Sequence, residues 1–179
     1  MFAHNTRSKV VIEDPRDARI PSLLCSLAGG DPVAREKARE TLVAVGRPVV
    51  PALIQLLSNR RPLARWEAAK ALCGIADPLA ATALVNALDD TDDDVRWVAA
   101  EGVIALGREG LQPLLAALLE RAQSSWFCEG AHHVCYTLVT KRQFGPILRP
   151  LLAAFDQFEP QVAIPLAAYT ALWKLRKLS

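Results

Sequence analysis

The chain has 179 residues, 51% of them hydrophobic and 6% aromatic, with 21 basic against 19 acidic side chains and a formal charge of +2. A charge this balanced argues against a nucleic-acid or anionic-membrane partner, and no stretch reaches the roughly 18 apolar residues needed to span a bilayer. Ala and Leu dominate and β-branched runs are short, which favours helix throughout.

In chain order, residues 1–16 are polar and aperiodic and predict a flexible lead-in. Residues 17–179 are expected to form a single domain that buries roughly 70% of its unfolded surface. The N-terminus lacks an apolar run long enough for a signal peptide. Cys25, Cys73, Cys128 and Cys135 form no C-x-x-C pair, so free thiols and a cytoplasmic location are expected. A first helix runs through IPSLLCSLA and stops at Gly29-Gly30. The text then alternates between two kinds of helix. The first helices of each pair (VVPALIQLLS, PLAATALVNALD, LQPLLAALLERA, GPILRPLLAAF) carry Pro near their start, where the missing N–H costs nothing. The second helices are DPVAREKARETLVAVG, RPLARWEAAKALCGIA, DDVRWVAAEGVIALG, SSWFCEGAHHVCYTLV and PQVAIPLAAYTALWKL. Ten helices in five pairs result, with the register of the fourth pair open by one residue. The cations Lys174, Arg176 and Lys177 relieve the negative end of the last helix.

Arg35, Arg65 and Arg96 recur at 30 and 31 residues, and a fixed period in this range marks a stacked repeat. The motifs DPVAREKARETL, PLARWEAAKAL and DDVRWVAAEGVIALG share an acidic turn, a Val/Leu-x-Arg, a small Ala-Ala step and a Gly or Ala stop. They resemble the short HEAT-like repeats of the phycobilisome lyase family. The strict match covers Asp31 to Leu119, and the later units only echo it. The resemblance implies an all-α fold, a right-handed α-solenoid of about five HEAT-like helical pairs. It also implies a bilin lyase-like or chaperone-like role, although unrelated binders share the repeat.

On a helical wheel, Arg65 falls on the same inward face as Ala68, Ala69 and Leu72. A lone buried cation is costly. We therefore expect a structural ladder in which Arg35, Arg65 and Arg96 meet turn carboxylates (Asp31, Asp93 or Asp94) or open helix ends. Asp90, Asp92 and Asp94 are spaced as in a calcium loop, with Glu101 at the twelfth position, but Val95 replaces the essential Gly. Helix capping explains that run better.

The opposite face carries Trp66, Lys70 and Cys73 in unit two and Trp97, Glu101 and Ile104 in unit three. Aligning Ala131 with Ala100 adds Cys128, His132 and Cys135, and unit five adds Tyr169 and Trp173. Second helices of such repeats line one groove. The expected groove is thus Trp66, Lys70, Trp97, Glu101, His132, Tyr169 and Trp173, holding another protein or peptide through aromatic anchors. The competing reading packs Trp66 against Trp97 across neighbouring helices. Cys128, His132 and Cys135 could supply three metal ligands, with Cys73 a fourth, but the usual C-x-x-C spacing is absent, and no cofactor or metal is expected. No Ser-His-Asp or Cys-His-Asn set and no Gly-rich phosphate loop is visible. Trp97 with Glu101 resembles the aromatic-plus-carboxylate site of HEAT-like DNA glycosylases, yet Lys70 alone does not make a phosphate track. A non-enzymatic scaffold is the favoured reading.

Overall fold

The structure is a computed structural model that describes residues 19–142 and 144–177. The expected lead-in over 1–16 lies outside the described residues. Ten α-helices follow one another among the described residues, with no strand between them: α1 (Ile20–Leu27), α2 (Pro32–Val45), α3 (Val50–Leu56), α4 (Pro62–Ile75), α5 (Ala81–Ala87), α6 (Asp93–Leu106), α7 (Arg108–Arg121), α8 (Ser125–Thr140), α9 (Gly145–Phe155) and α10 (Pro160–Arg176). The chain is an all-α solenoid of five helical pairs. None of the helices is long and apolar enough to cross a membrane.

Local chemistry sets the helix ends. Asp31 Oδ1 accepts from the Val33 amide at 3.0 Å and caps α2, and Asp92 Oδ1 accepts from the Val95 amide at 3.1 Å and caps α6. Ser124 Oγ accepts from the Phe127 amide at 3.3 Å and caps α8. Pro32 and Pro62 open α2 and α4, where no intrahelical donor is needed. The stops after α2 and α6 are Gly46 and Gly107, at φ 75° and 56°. The equivalent stop after α4 is Ala76, which holds left-handed backbone at φ 51°. Before α3 and α5 the chain makes a turn of 3₁₀ helix, over Arg47–Val49 and Pro78–Ala80.

The second helices α2, α4, α6 and α8 pack side by side in one layer, while α3, α5 and α7 stack behind them. A continuous apolar core runs between the layers from Leu27 to Leu175. The fifth pair breaks the pattern. Helix α9 packs against α8, and α10 packs against α7 and α9. The last hairpin is therefore turned over, so that α9 continues the α2–α8 layer and α10 covers α7. This removes Tyr169 and Trp173, both on α10, from the groove that the repeat pattern predicted.

Candidate functional site

The arginines link each repeat to the next. Arg35, Arg65 and Arg96 each donate Nη1 to a carbonyl six residues earlier: Gly29 at 3.1 Å, Asn59 at 2.9 Å and Asp90 at 2.8 Å. Arg35 and Arg65 also reach the next carbonyl of the same turn, Gly30 at 2.9 Å and Arg60 at 3.5 Å, and their side-chain partners belong to the following unit. Arg35 Nε lies 3.4 Å from Glu67 Oε1, and Arg39 Nη1 reaches Glu67 Oε2 at 2.6 Å. Arg65 grips Asp90 with two bonds, of 2.7 and 2.6 Å. The Arg96 guanidinium lies 4.8 Å from the centre of the Trp126 ring. The carboxylates facing the arginines are thus Glu67 and Asp90 rather than Asp31, Asp93 or Asp94. Asp31 is committed to capping, and Asp93 and Asp94 sit exposed in the first turn of α6. Glu67 is almost fully buried. It carried no periodic signal, because the equivalent position in unit three is Val98.

Burial alone would raise the Asp90 carboxyl. The bonds from Arg65 and the Asp92 amide, with the charges of Arg65 and Arg96, outweigh burial and hold the group below its ordinary value. Asp89 behaves likewise: burial opposes ionisation, while Ser124 and Arg121 more than compensate.

The caps also fix the register of unit four. Asp92 and Ser124 occupy the same position before α6 and α8, which aligns Cys128 with Arg96 and Ala131 with Ala99. The buried residues agree: Val95, Ala99, Gly102, Val103 and Leu106 match Phe127, Ala131, Val134, Cys135 and Leu138. The pairing of Ala131 with Ala100 is therefore off by one residue. The outward stripe of unit four is Glu129, His133 and Tyr136. Cys135 points into the core, where burial pushes its thiol up to about 12. Cys128 takes the arginine's place and donates Sγ to the Ala122 carbonyl, again six residues earlier. Cys128, His132 and Cys135 do not bring their ligand atoms together. Among the described residues only Asp92, Asp93 and Asp94 do so, as an exposed acidic triplet.

Outward side chains of neighbouring units meet in this corrected register. His133 Nε2 and Glu101 Oε1 are 3.1 Å apart, and the His133 ring lies against Trp97, tilted by 36° with ring centres 4.5 Å apart. Lys70 Nζ sits 4.4 Å over Trp66, so the ring partners of Trp66 and Trp97 are Lys70 and His133 rather than each other. His132 turns toward α9 and meets Phe155 edge-on at 5.3 Å.

Two clefts cross this layer and share Asp94. The first, of about 570 Å³, lies between α6 and α8 and is walled by Trp97, Trp126, His133, Tyr136, Glu129 and Asp93. The second, of about 640 Å³, is more polar and contains Trp66, Lys70, Glu36 and Arg39. The predicted groove residues are thus divided. Trp66 and Lys70 line one cleft, Trp97 and His132 line the other, Glu101 is held by His133, and Tyr169 and Trp173 lie elsewhere. Trp126, Glu129, His133 and Tyr136 were missed. The capping signal at Ser124 would have found three of them.

A layered stack of paired helices with a ladder of arginines is an α-solenoid. Residues 20–104 match the family model described as HEAT repeats. In the same direction as the resemblance to the phycobilisome lyase type, the chain is similar to a chain in the structure of the complex of CpcE and CpcF of phycocyanin lyase from Nostoc sp. PCC7120. That match has 26% identity and a TM-score of 0.57, over 84% of this chain and 98% of that one. An engineered protein of known crystal structure matches at 18% identity and a TM-score of 0.42, over 90% of this chain and 81% of its own. No curated protein matches in sequence.

Proposed function

We propose that this protein is an interaction scaffold, with residues 17–179 acting as one domain, that grips a partner protein or peptide on the α2–α8 layer. The observation that carries this reading is the cleft between α6 and α8. There Trp97, Trp126 and Tyr136 remain 58%, 46% and 56% exposed, although exposed aromatic clusters are unfavourable on a monomer and typical of interfaces. The similarity to a chain from a two-chain complex supports the same reading. The free thiols at all four cysteines favour a cytoplasmic location.

The test is capture of partners from native lysate by the protein and by a Trp97→Ala, Tyr136→Ala double variant. Both side chains are exposed, so the variant should keep its melting temperature and lose at least about 2 kcal/mol of affinity. Undiminished capture by the variant would remove the cleft from the interaction.

A second reading is a lyase-like or chaperone-like subunit acting on a bilin or its acceptor protein. The likeness to the phycocyanin lyase complex favours it, and a cleft of about 570 Å³ has the size of a small-molecule site. Incubation with bilin followed by repurification separates the two readings. Retained visible absorbance supports the second, and a colourless protein supports the first.

A further inference from the structure

The cleft between α6 and α8 has a definite charge. Its walls carry Asp93, Asp94 and Glu129 against a single fixed cation, Arg96. Among the described residues no cation pairs with those three carboxylates. Arg96 is itself committed, to the Asp90 carbonyl at 2.8 Å and to the face of Trp126. Asp93 and Asp94 gain something from the positive end of α6. That does not account for Glu129, which lies beyond the first turn of α8, or for three exposed aromatic rings at the same place. Aromatic faces and carboxylates share one kind of ligand, a cation with a flat apolar surface.

We infer that this cleft receives an arginine side chain from a segment of the partner protein, with the guanidinium between the aromatic rings and its N–H groups directed to Asp93, Asp94 and Glu129. This rests on the interaction reading above and names its chemistry. The resident Arg96 shows that a guanidinium lies well on Trp126. Arginine suits the site better than lysine, because its planar fork both stacks on a ring and donates to two carboxylates. A ligand bearing carboxylates of its own would be repelled by the same walls.

The experiment follows the indole N–H signals of the tryptophans by NMR, with each assigned through a Trp→Phe variant. Two probes are titrated: blocked Gly-Arg-Gly and the same peptide with citrulline, which keeps the shape and loses the charge. The signals of Trp97 and Trp126 should move with the arginine peptide, and the citrulline peptide should bind about tenfold more weakly or worse. The Asp93→Asn, Asp94→Asn, Glu129→Gln variant should lose that preference while keeping its helical circular dichroism. Should that variant unfold, added salt serves instead and should weaken only the arginine response. Equal responses to the two peptides, or an arginine response indifferent to salt, would overturn the inference. If capture still depends on Trp97 and Tyr136 in that case, the scaffold reading stands and only its arginine chemistry fails. A selective arginine response beside undiminished capture by the double variant would reject the scaffold reading, and with it the partner protein as the source of the arginine, while leaving the cleft's arginine chemistry in place.

Discussion

Arg65 and Asp90 illustrate how much of the stack rests on single side chains. Two charge-assisted bonds of 2.7 and 2.6 Å join residues that are both largely buried. Removing the cation leaves Asp90 buried with less compensation. Arg65→Ala should therefore cost about 3 kcal/mol, and more than Arg96→Ala, whose acceptor is a neutral carbonyl. Linkage adds a pH signature. The Asp90 carboxyl is held below its ordinary value of 3.8, so its stabilisation is fully present above that pH and is lost as pH falls through the folded-state value. Thermal melts of the native protein should drop steeply in that acid window, and Arg65→Ala should show a shallower slope there. Parallel slopes would reject the assignment of Arg65 as the partner that matters. The arginines were legible in the sequence because they repeat. Glu67 and Asp90 were not, because each carboxylate serves a single junction between units and does not recur at the repeat spacing.

The same logic holds for whole helices. The first four second helices begin after an Asp, Arg or Ser at the N-cap, and three of those four end at Gly or Ala in a positive-φ backbone. Gly46 and Gly107 adopt that geometry without strain, whereas Ala76 at φ 51° places a Cβ in a region that L-residues avoid. Replacing Ala76 by Gly should stabilise the protein by about 0.5–1 kcal/mol, the relief of strain exceeding the added freedom of the unfolded chain. A lowered urea midpoint for this variant would show that the turn is not strained. Caps also carry more register information than apolar pattern does. Small residues at Ala99, Ala100, Gly130 and Ala131 allow two alignments of α8 on α6, and only Ser124 in the place of Asp92 separates them. A slip of one residue rotates a helix by about 100°. That rotation moved Cys135 from the expected surface into the core and brought out His133 and Tyr136.

The stack as a whole depends on the hairpin that departs from the rule. Helix α10 buries Ile164, Ala168, Ala171, Leu172 and Leu175 against α7 and α9, and its three large side chains are worth roughly 5–9 kcal/mol of burial. That is comparable to the net stability of a whole domain. A chain ending at Gln157 should consequently lose cooperative melting and expose apolar surface to a hydrophobic dye. A sharp transition in the shortened chain would mean that α1 to α9 stand without α10. The sequence by itself determined the helical class, the five pairs and the arginine period, since these are local and repeat along the chain. Tertiary structure alone decided the turning of the last hairpin, the partners of the arginines and the membership of the cleft. Those depend on which helix faces meet, and side chains distant in sequence leave no periodic trace of meeting.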